Sequence, residues 1–471
     1  MVTQHGEAPA RAVGSVGRYG RKIGFWGLVA LLFASLSSGA GGIEEIVAAS
    51  GPGTAMWLFL LLPVVWGLPN VLVNAEMSSA LPVEGGYYRW CRRALGPFWG
   101  FVAGWWTWIG SVFDNIVYPV LIAHYSGALW APLSGRGARA ALVLGLIAVF
   151  GYLNYRGIRA VAFSSAIFDL LVLLPWMLFA VLALPLASRN PFEPLVAAGR
   201  TPAEGLGVAL VLGMWFFAGY ELPSAAAEEY ERSHQTLPRA LLAVLPLMAV
   251  SYILPLAGGL AFSDRWAEWQ SGSLVEVGRQ VALAYGGPAA GHALGAAIAV
   301  GVAFGSVALF NGLLVPYSRI LLVMAEEGDF PRLLARLHPR HRTPWVAILV
   351  NCALYAVLHW LDFSDLVLLS MWNSFAAYMV INVALVVLRR REPDLPRPFR
   401  IPGGGAGLVA VMTPLVTLSG WALWQSTREN WAADNLRVLA LGLCGLLSGP
   451  LVYALKLLLR RLRSTGSPCP Y

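Results

Sequence analysis

The chain has 471 residues, a mean hydropathy of +0.64 and only 12% charged residues, whereas a soluble globular domain carries about 25%. Apolar runs of about 20 residues, long enough to cross a bilayer, recur from end to end, which excludes a single large soluble core. A net charge of +8 would favour nucleic-acid binding in a soluble protein, but here the basic residues lie in short segments between apolar runs. We therefore expect an all-α integral membrane protein with the lipid bilayer, and no nucleic acid, as a partner.

The hydropathy pattern predicts twelve spans, at residues 23–49, 57–80, 98–130, 138–154, 158–186, 205–227, 238–262, 289–325, 344–361, 364–388, 406–425 and 435–459. They assign residues 1–20 to an N-terminal tail, 21–463 to one transmembrane domain and 464–471 to a C-terminal tail. With both tails cytoplasmic, 25 of the 33 Lys and Arg residues fall inside and 8 outside, as the positive-inside rule requires. We expect a multi-pass protein of a plasma or inner membrane.

The first span is interrupted at residues 37–42, where the sequence reads SSGAGG. Glycine inside a helix costs about 1 kcal/mol relative to alanine, so this stretch is a poor helix. Two acids follow directly, Glu44 and Glu45. Glycine also allows membrane helices to pack closely, but the whole pattern favours an unwound segment.

The sixth span contains a matching interruption at residues 219–223, with the sequence GYELP. Pro223 removes a backbone donor and clashes with the preceding helical turn. Unwound backbone at membrane depth is tolerated only where it faces protein or a wet cavity. Interrupted spans at corresponding positions of two halves are typical of a transport site. Breaks five spans apart favour a five-helix unit repeated in inverted orientation, followed by two extra helices.

At these breaks the chain resembles the amino acid–polyamine–organocation (APC) transporter superfamily. Trp215, Phe217, Gly219 and Glu221 follow the family pattern W-x-F-x-G-x-E. The exit of the eighth span is also similar, with SRI at 318–320, AEEGDFP at 325–331 and TP at 343–344. The resemblance implies a LeuT-like fold with helices 1 and 6 broken, and a small-molecule substrate bound at the breaks.

A narrower resemblance is to the polyamine–proton symporters of plants and protists. It rests on the sequences GIEE at 42–45, PVEGGY at 82–87 and LGPFWGFVAGWWTWIGSVFDNIVYPVL at 95–121. It implies secondary active, proton-coupled uptake of polyamines such as putrescine and spermidine. An amino acid permease or exchanger of the same fold is the alternative.

The sequence departs from the superfamily at two places. The usual Gly-Ser-Gly of the first break is replaced by Ala40, Gly41 and Gly42. Many relatives carry a lysine in the fifth span, where it replaces a sodium ion, but residues 157–186 contain no lysine. Proton and sodium coupling both stay open, with Ser306 as a weak sodium-site candidate.

Several acids fall within apolar spans: Glu44, Glu45, Glu76, Asp114, Asp169 and Glu221. A charge at the bilayer centre costs at least about 2.5–3.5 kcal/mol, so such residues are functional by default. We expect Glu76, near a cytoplasmic end, to reach water. For the others a bound cation or a proton would neutralise the charge. Helix capping by Glu44 and Glu45, and a local hydrogen bond from Ser164 or Ser165 to Asp169, are the alternatives.

The two breaks, the acids within spans and the aromatic residues beside them supply the candidate site residues. Trp215 adjoins the second break and offers an aromatic face, which attracts an ammonium group by roughly 0.5–2 kcal/mol. The substrate-binding candidates are Ala40, Gly41, Gly42, Glu44, Asp114, Asn115, Trp215, Phe216, Gly219 and Glu221. Glu221 and Asp169 are the candidates for proton coupling.

Other function classes find little support. An enzyme would need a catalytic constellation, but there is no H-E-x-x-H motif, and none of the histidines pairs with a carboxylate at helical spacing within a span: His5, His124, His234, His292, His338, His341 and His359. The P-loop motif of an ATP-driven pump is missing, and a channel needs no inverted pair of breaks. The cysteines, Cys91, Cys352, Cys444 and Cys469, form no C-x-x-C pair. We expect no cofactor; the sequence does not indicate the oligomeric state.

Overall fold

The computed structural model describes residues 23–37, 39–83, 85–157, 165–197, 199 and 201–465; for 165–170, 225–226, 228–229, 460 and 462–465 it describes the backbone alone. Within these ranges the chain is helical, apart from loops and one isolated β-bridge between Ile23 and Tyr230. The all-α prediction is therefore confirmed for the described part.

The helices are α1 (Phe25–Leu36), α2 (Ile43–Ser50), α3 (Pro52–Leu62), α4 (Leu68–Ala80), α5 (Gly86–Leu95), α6 (Pro97–Leu129), α7 (Arg136–Tyr155), α8 (Ser165–Ala183), α9 (Leu206–Trp215), α10 (Ser233–Phe262), α11 (Ser273–Glu326), α12 (Trp345–Leu358), α13 (Phe363–Arg391), α14 (Gly404–Ala432) and α15 (Leu436–Thr465). A π-helical turn joins α3 to α4, and a 3-10 segment, Leu222–Glu229, follows α9.

Seven helical segments of the described chain are long and apolar enough to cross a membrane: Pro52–Ala80, Arg136–Tyr155, Ser233–Phe262, Ser273–Glu326, Phe363–Arg391, Gly404–Ala432 and Leu436–Leu459. Shorter apolar helices lie at Phe25–Leu36, Leu171–Leu186, Leu206–Trp215 and Trp345–Leu358. At 33 residues α6 is also long enough to cross a bilayer. These lengths are those of a multi-pass membrane protein.

The long helix α11 is kinked near its start. Gly286 and Gly287 have non-helical backbone angles, and Pro288 follows them. Gly287 has a φ of 68°, which only glycine adopts at low cost. The kink separates a first segment of α11, residues 273–285, from the long remainder. The predicted eighth span begins at residue 289, directly after this kink.

Helix α6 lies at the centre of the fold, where it packs against α5, α7, α11, α12, α13 and α15. Its approach to α13 is close because Gly110 has no side chain: a Cβ there would lie 3.2 Å from the Ser370 carbonyl oxygen. By contrast α14 and α15 expose large apolar side chains, including Trp424, Trp431 and Leu447. Such surfaces suit helices that face lipid.

A buried ion cluster corrects the expectation that Glu76 reaches water. Its side chain is 0% exposed and accepts hydrogen bonds from the Arg389 guanidinium and from the backbone N–H of Ile401 at 2.8 Å. Arg397 lies 3.6 Å away. The partners come from more than 300 residues further along the chain, so local sequence gave no sign of them.

A second cluster joins α5 to α15 through the loop after α11. Asp329 accepts hydrogen bonds from the Tyr88 hydroxyl at 2.7 Å and from the Lys456 ammonium group. Arg92 lies 3.4 Å from the same carboxylate. This cluster fastens the last helix to the centre of the fold.

Candidate functional site

A cavity lies between α1, α6, α9, α10, α11 and α13, beside both interruptions predicted from the sequence. Its volume is about 60 Å³, so it is narrow. It is lined by Ser35, Leu36, Thr107, Gly110, Ser111, Asp114, Tyr118, Trp215, Phe216, Ala218, Gly219, Glu221, Leu222, Tyr252, Leu309, Leu313, Tyr317, Ser370, Met371, Ser374 and Tyr378.

The chain is non-helical beside the cavity in two places. Between α1 and α2 the described residues 37 and 39–42 are non-helical, and Gly42 has a φ of 92°. Between α9 and the 3-10 segment the backbone turns at Gly219, with a φ of 87°. The Gly219 N–H donates a hydrogen bond of 3.2 Å to the Tyr378 hydroxyl. An amide freed from helical bonding is thus satisfied by a cavity side chain.

Asp114 supplies the first carboxylate of the cavity. One oxygen accepts a hydrogen bond of 2.7 Å from the Trp215 indole N–H, and the other accepts one of 2.9 Å from the Tyr317 hydroxyl. Asp114 is partly exposed to the cavity. Since both donors are neutral, the negative charge keeps the capacity to bind a cation.

Glu221 supplies the second carboxylate, from the turn after α9. It is 5% exposed and accepts a hydrogen bond of 3.3 Å from the Tyr378 hydroxyl. The described residues that line the cavity include two acids and no Lys, Arg or His. A buried charge needs a partner, and the described lining offers neither carboxylate a cationic one.

Aromatic rings surround the cavity near Trp215. The ring centre of Trp215 lies 6.2 Å from that of Tyr118 and 5.8 Å from that of Phe363. Phe216 packs edge-on against Tyr252, with ring centres 5.0 Å apart. These faces add favourable sites for an ammonium group.

The structure brings five of the ten substrate-binding candidates into the cavity wall: Asp114, Trp215, Phe216, Gly219 and Glu221. The other five are not among the lining residues: Ala40, Gly41, Gly42, Glu44 and Asn115. Asn115 points between α11 and α12, where its amide donates to the Phe310 carbonyl at 3.2 Å and to the Tyr355 hydroxyl at 3.3 Å.

Glu44 has its own set of partners. Its carboxylate accepts hydrogen bonds from the Tyr125 hydroxyl at 2.7 Å and from the backbone N–H of Gly42 at 3.0 Å. Two more backbone N–H groups donate to it, Gly272 at 3.2 Å and Leu274 at 3.3 Å. The carboxylate therefore faces amides and a phenol instead of the cavity.

The candidates for ion coupling lie in different parts of the fold. Asp169 lies on α8, and its side chain is outside the described residues. Ser306 is 0% exposed on α11, and its hydroxyl has no hydrogen-bond partner in the described part of the chain. Among the described residues there is no group of three or more His, Cys, Asp or Glu side chains placed to hold a metal ion.

Sequence reasoning missed several residues of the cavity, above all the tyrosines that hold the carboxylates. Tyr317 and Tyr378 lie on α11 and α13, far from either break in sequence. Ser370 and Ser374 add hydroxyl groups from α13. A tyrosine in a membrane helix usually marks packing or an interface, so the sequence carried no signal for these roles.

The family model for amino acid permeases matches residues 23–432. The chain belongs to the amino acid permease family. This confirms the resemblance to the APC superfamily and makes the chain a multi-pass membrane transport protein.

Curated relatives narrow the resemblance. The chain is 32% identical to the polyamine transporter RMV1 of Arabidopsis thaliana over 442 residues, or 93% of this chain and 86% of the relative. It is 32% identical to the polyamine transporter PUT1 of Oryza sativa subsp. japonica over 418 residues, or 88% and 76%. A more distant relative is the branched-chain amino acid permease BcaP of Bacillus subtilis (strain 168), 26% identical over 75% of this chain and 77% of the relative.

Proposed function

We propose that the protein is a secondary active transporter that takes up polyamines such as putrescine and spermidine. The observation that carries this proposal is the pair of carboxylates, Asp114 and Glu221, in one narrow cavity whose described lining has no basic residue. The polyamine transporters among the relatives support the same substrate class.

The chemistry of the cavity suits a linear substrate with an ammonium group at each end. A carboxylate accepts charge-assisted hydrogen bonds from an ammonium group, about twice as strong as neutral ones. The aromatic rings beside Trp215 contact methylene groups and add cation–π attraction. In this proposal Asp114 binds the distal amine, and Glu221 binds the amine nearer the second break.

An amino acid substrate is the second candidate, because relatives include amino acid permeases. Its carboxylate would bind to free backbone N–H groups at the first break, where α2 begins. Here the Gly42 N–H already donates to Glu44 and to the Tyr125 hydroxyl, at 3.0 and 3.3 Å. An acid of the chain thus occupies that position, which favours a substrate without a carboxylate.

For the architecture we propose twelve spans in a LeuT-like five-plus-five inverted repeat with two extra helices. In this arrangement α1 and α2 form the first span, and α9 and the 3-10 segment, on either side of Gly219, form the sixth. The long helices, the shorter apolar helices and α6 together supply the required segments. The distribution of Lys and Arg supports cytoplasmic termini in a plasma or inner membrane.

For energy coupling we propose protons, with Glu221 and Asp169 as the coupling residues. The membrane potential assists, because an inside-negative potential contributes about 2.3 kcal/mol per charge per 100 mV. A divalent polyamine gains roughly 4.6 kcal/mol at 100 mV, enough for more than a thousandfold accumulation. Sodium is the rival ion, and its candidate ligand is the hydroxyl of Ser306, which has no hydrogen-bond partner among the described residues.

Uptake into proteoliposomes tests the proposal. Purified protein is given radiolabelled putrescine, spermidine or arginine under a clamped potential, with an inward proton gradient, an inward sodium gradient or neither. We expect uptake of both polyamines, stimulated by the proton gradient. Uptake of arginine without either polyamine would overturn the substrate assignment, and stimulation by sodium alone would overturn the coupling ion.

A further inference from the structure

Glu44 and Glu45 connect two segments that are far apart in the chain. Glu44 accepts hydrogen bonds from the backbone N–H groups of Gly272 and Leu274. Glu45 accepts them from the backbone N–H and the hydroxyl of Ser271, at 2.9 and 3.0 Å. Adjacent carboxylates of α2 thus bind the N-terminal end of α11 and the residue before its N-cap, about 230 residues further along.

Both carboxylate oxygens of Glu44 accept hydrogen bonds from other residues of the protein. It is 0% exposed, and its two oxygens accept four hydrogen bonds, from Tyr125, Gly42, Gly272 and Leu274. A buried carboxylate is stable when several donors face it. No substrate amine is needed for that purpose.

The backbone around the connection is shaped for close approach. Gly272 has a φ of 101°, and a Cβ there would lie 3.2 Å from the Cβ of Ala128 at the end of α6. Gly42 has a φ of 92°, and a Cβ there would lie 2.6 Å from the Phe363 ring. Glycines on both sides of the connection thus allow the end of α6 and the Phe363 ring to approach it closely.

The kink at Gly286 and Gly287 separates the first segment of α11 from the long helix that lines the cavity. The segment on the far side of this kink is bound to α2. A few residues with non-helical backbone angles can absorb a change of angle between two helical segments, while the hydrogen bonds to Glu44 and Glu45 join the first segment to α2.

We propose that Glu44 is a positioning residue, assisted by Glu45, that makes α2 and residues 273–285 move as one unit when the cavity opens and closes. The inference rests on the proposed transport function, in which α2 is half of the first span. Glu44 then governs the rate of the transport cycle, and substrate affinity is set elsewhere.

Cross-linking tests the shared movement. Glu45→Cys and Ser271→Cys are introduced together in a background without the native cysteines, and a short bifunctional thiol reagent joins them. We expect uptake to stay within about twofold of that of the unlinked double variant. Uptake lost on cross-linking and restored by cleaving the linker would overturn the proposal, because the two segments would then separate in every cycle.

Glu44→Gln separates positioning from substrate contact. Loss of charge-assisted hydrogen bonds should lower the maximal uptake rate about tenfold or more, with polyamine binding at equilibrium unchanged within about twofold. Glu276→Gln is the matched control, since it removes an exposed acid of the same segment of α11 that is paired with Arg279. Wild-type uptake by Glu44→Gln, or parallel loss of binding and uptake, would overturn the proposal.

Two further measurements cover the remaining outcomes. Tyr125→Phe removes one donor to Glu44 and no charge. It should also lower the maximal uptake rate, and it serves as the test if Glu44→Gln does not fold; an unchanged uptake rate would count against the proposal.

The reaction of Ser374→Cys, in the cavity wall, with a thiol reagent needs no substrate. Glu44→Gln should change the rate of this reaction, and an unchanged reaction rate would overturn the proposal. If wild-type protein transports an amino acid and no polyamine, the proposed function fails while the cross-linking test proceeds with that substrate.

Discussion

The indole Nε1–H of Trp215 donates a hydrogen bond of 2.7 Å to Asp114 Oδ1. Trp215 is the last residue of α9, so this hydrogen bond joins the end of α9 to the middle of α6. The sixth predicted span stops being α-helical at this residue. The Tyr317 hydroxyl holds the other oxygen at 2.9 Å. The Asp114 carboxylate of α6 thus contacts both α9 and α11 beside the cavity. A cation bound to this carboxylate would lie next to all three helices.

We predict that Asp114→Asn lowers spermidine uptake at least tenfold, because a charge-assisted hydrogen bond to an ammonium group is lost. Trp215→Phe keeps a ring and removes only the indole donor, so its effect should be smaller. Uptake of spermidine should suffer more than that of a monoamine in Asp114→Asn. Equal losses for both substrates would indicate that Asp114 supports folding instead.

Glu221→Gln should abolish stimulation by a proton gradient or weaken polyamine binding at least tenfold, since the amide cannot carry the charge. Tyr378→Phe removes the donor to Glu221 and the acceptor for the Gly219 N–H, and should cause a smaller loss. Uptake is measured from about pH 5 to about pH 8, which spans the physiological range. Wild-type uptake at every pH in Glu221→Gln would refute the role of Glu221.

The buried cluster of Glu76 should control stability. Glu76→Gln leaves Arg389 and Arg397 buried with an uncompensated charge, which typically costs about 3–5 kcal/mol. We expect a large fall in the thermal unfolding temperature of the purified protein. The exposed pair of Glu268 and Arg265 gives the control: Glu268→Gln should change stability by less than about 1 kcal/mol. Similar melting of both variants would contradict the assignment.

Gly42→Ala should destabilise the protein and reduce transport. A left-handed residue other than glycine is strained by about 1–3 kcal/mol, and the new Cβ would lie 2.6 Å from Phe363 Cζ. Gly404→Ala is the control, because Gly404 has a φ of 59° and open space around its Cβ position. The difference in unfolding temperature between the variants isolates the steric clash. Equal unfolding temperatures would show that the Phe363 ring moves aside freely.

Hydropathy predicted that the chain consists of apolar helices, because a bilayer-length apolar run has few alternatives to a helix. The third span, predicted at 98–130, corresponds to α6 at Pro97–Leu129. The first segment of α11 was not predicted as a helix. Residues 273–285 contain Glu276 and Arg279 among apolar residues. Gly286 and Gly287 then end this segment before it reaches the length of a membrane span.

Only part of the site could be predicted, because an acidic residue within an apolar span can either line the cavity or bind other residues of the protein. An acid in an apolar span marked Asp114 and Glu221, which line the cavity, and equally Glu44 and Glu76, which do not. The partners that decide the outcome lie 228 residues away for Glu44, at Gly272, and 313 residues away for Glu76, at Arg389. Such distances in sequence are closed by tertiary packing alone.

The two carboxylates of the cavity bear on which step of the cycle feels the membrane voltage. With Asp114 and Glu221 both ionised, an empty cavity carries two negative charges, because its described lining offers no basic residue. A bound divalent polyamine cancels them, so a loaded protein that has bound no coupled proton would reorient without moving net charge. The potential would then act on the return of the empty protein, at about 2.3 kcal/mol per charge per 100 mV. Pre-steady-state currents would accordingly arise without substrate and disappear at saturating putrescine.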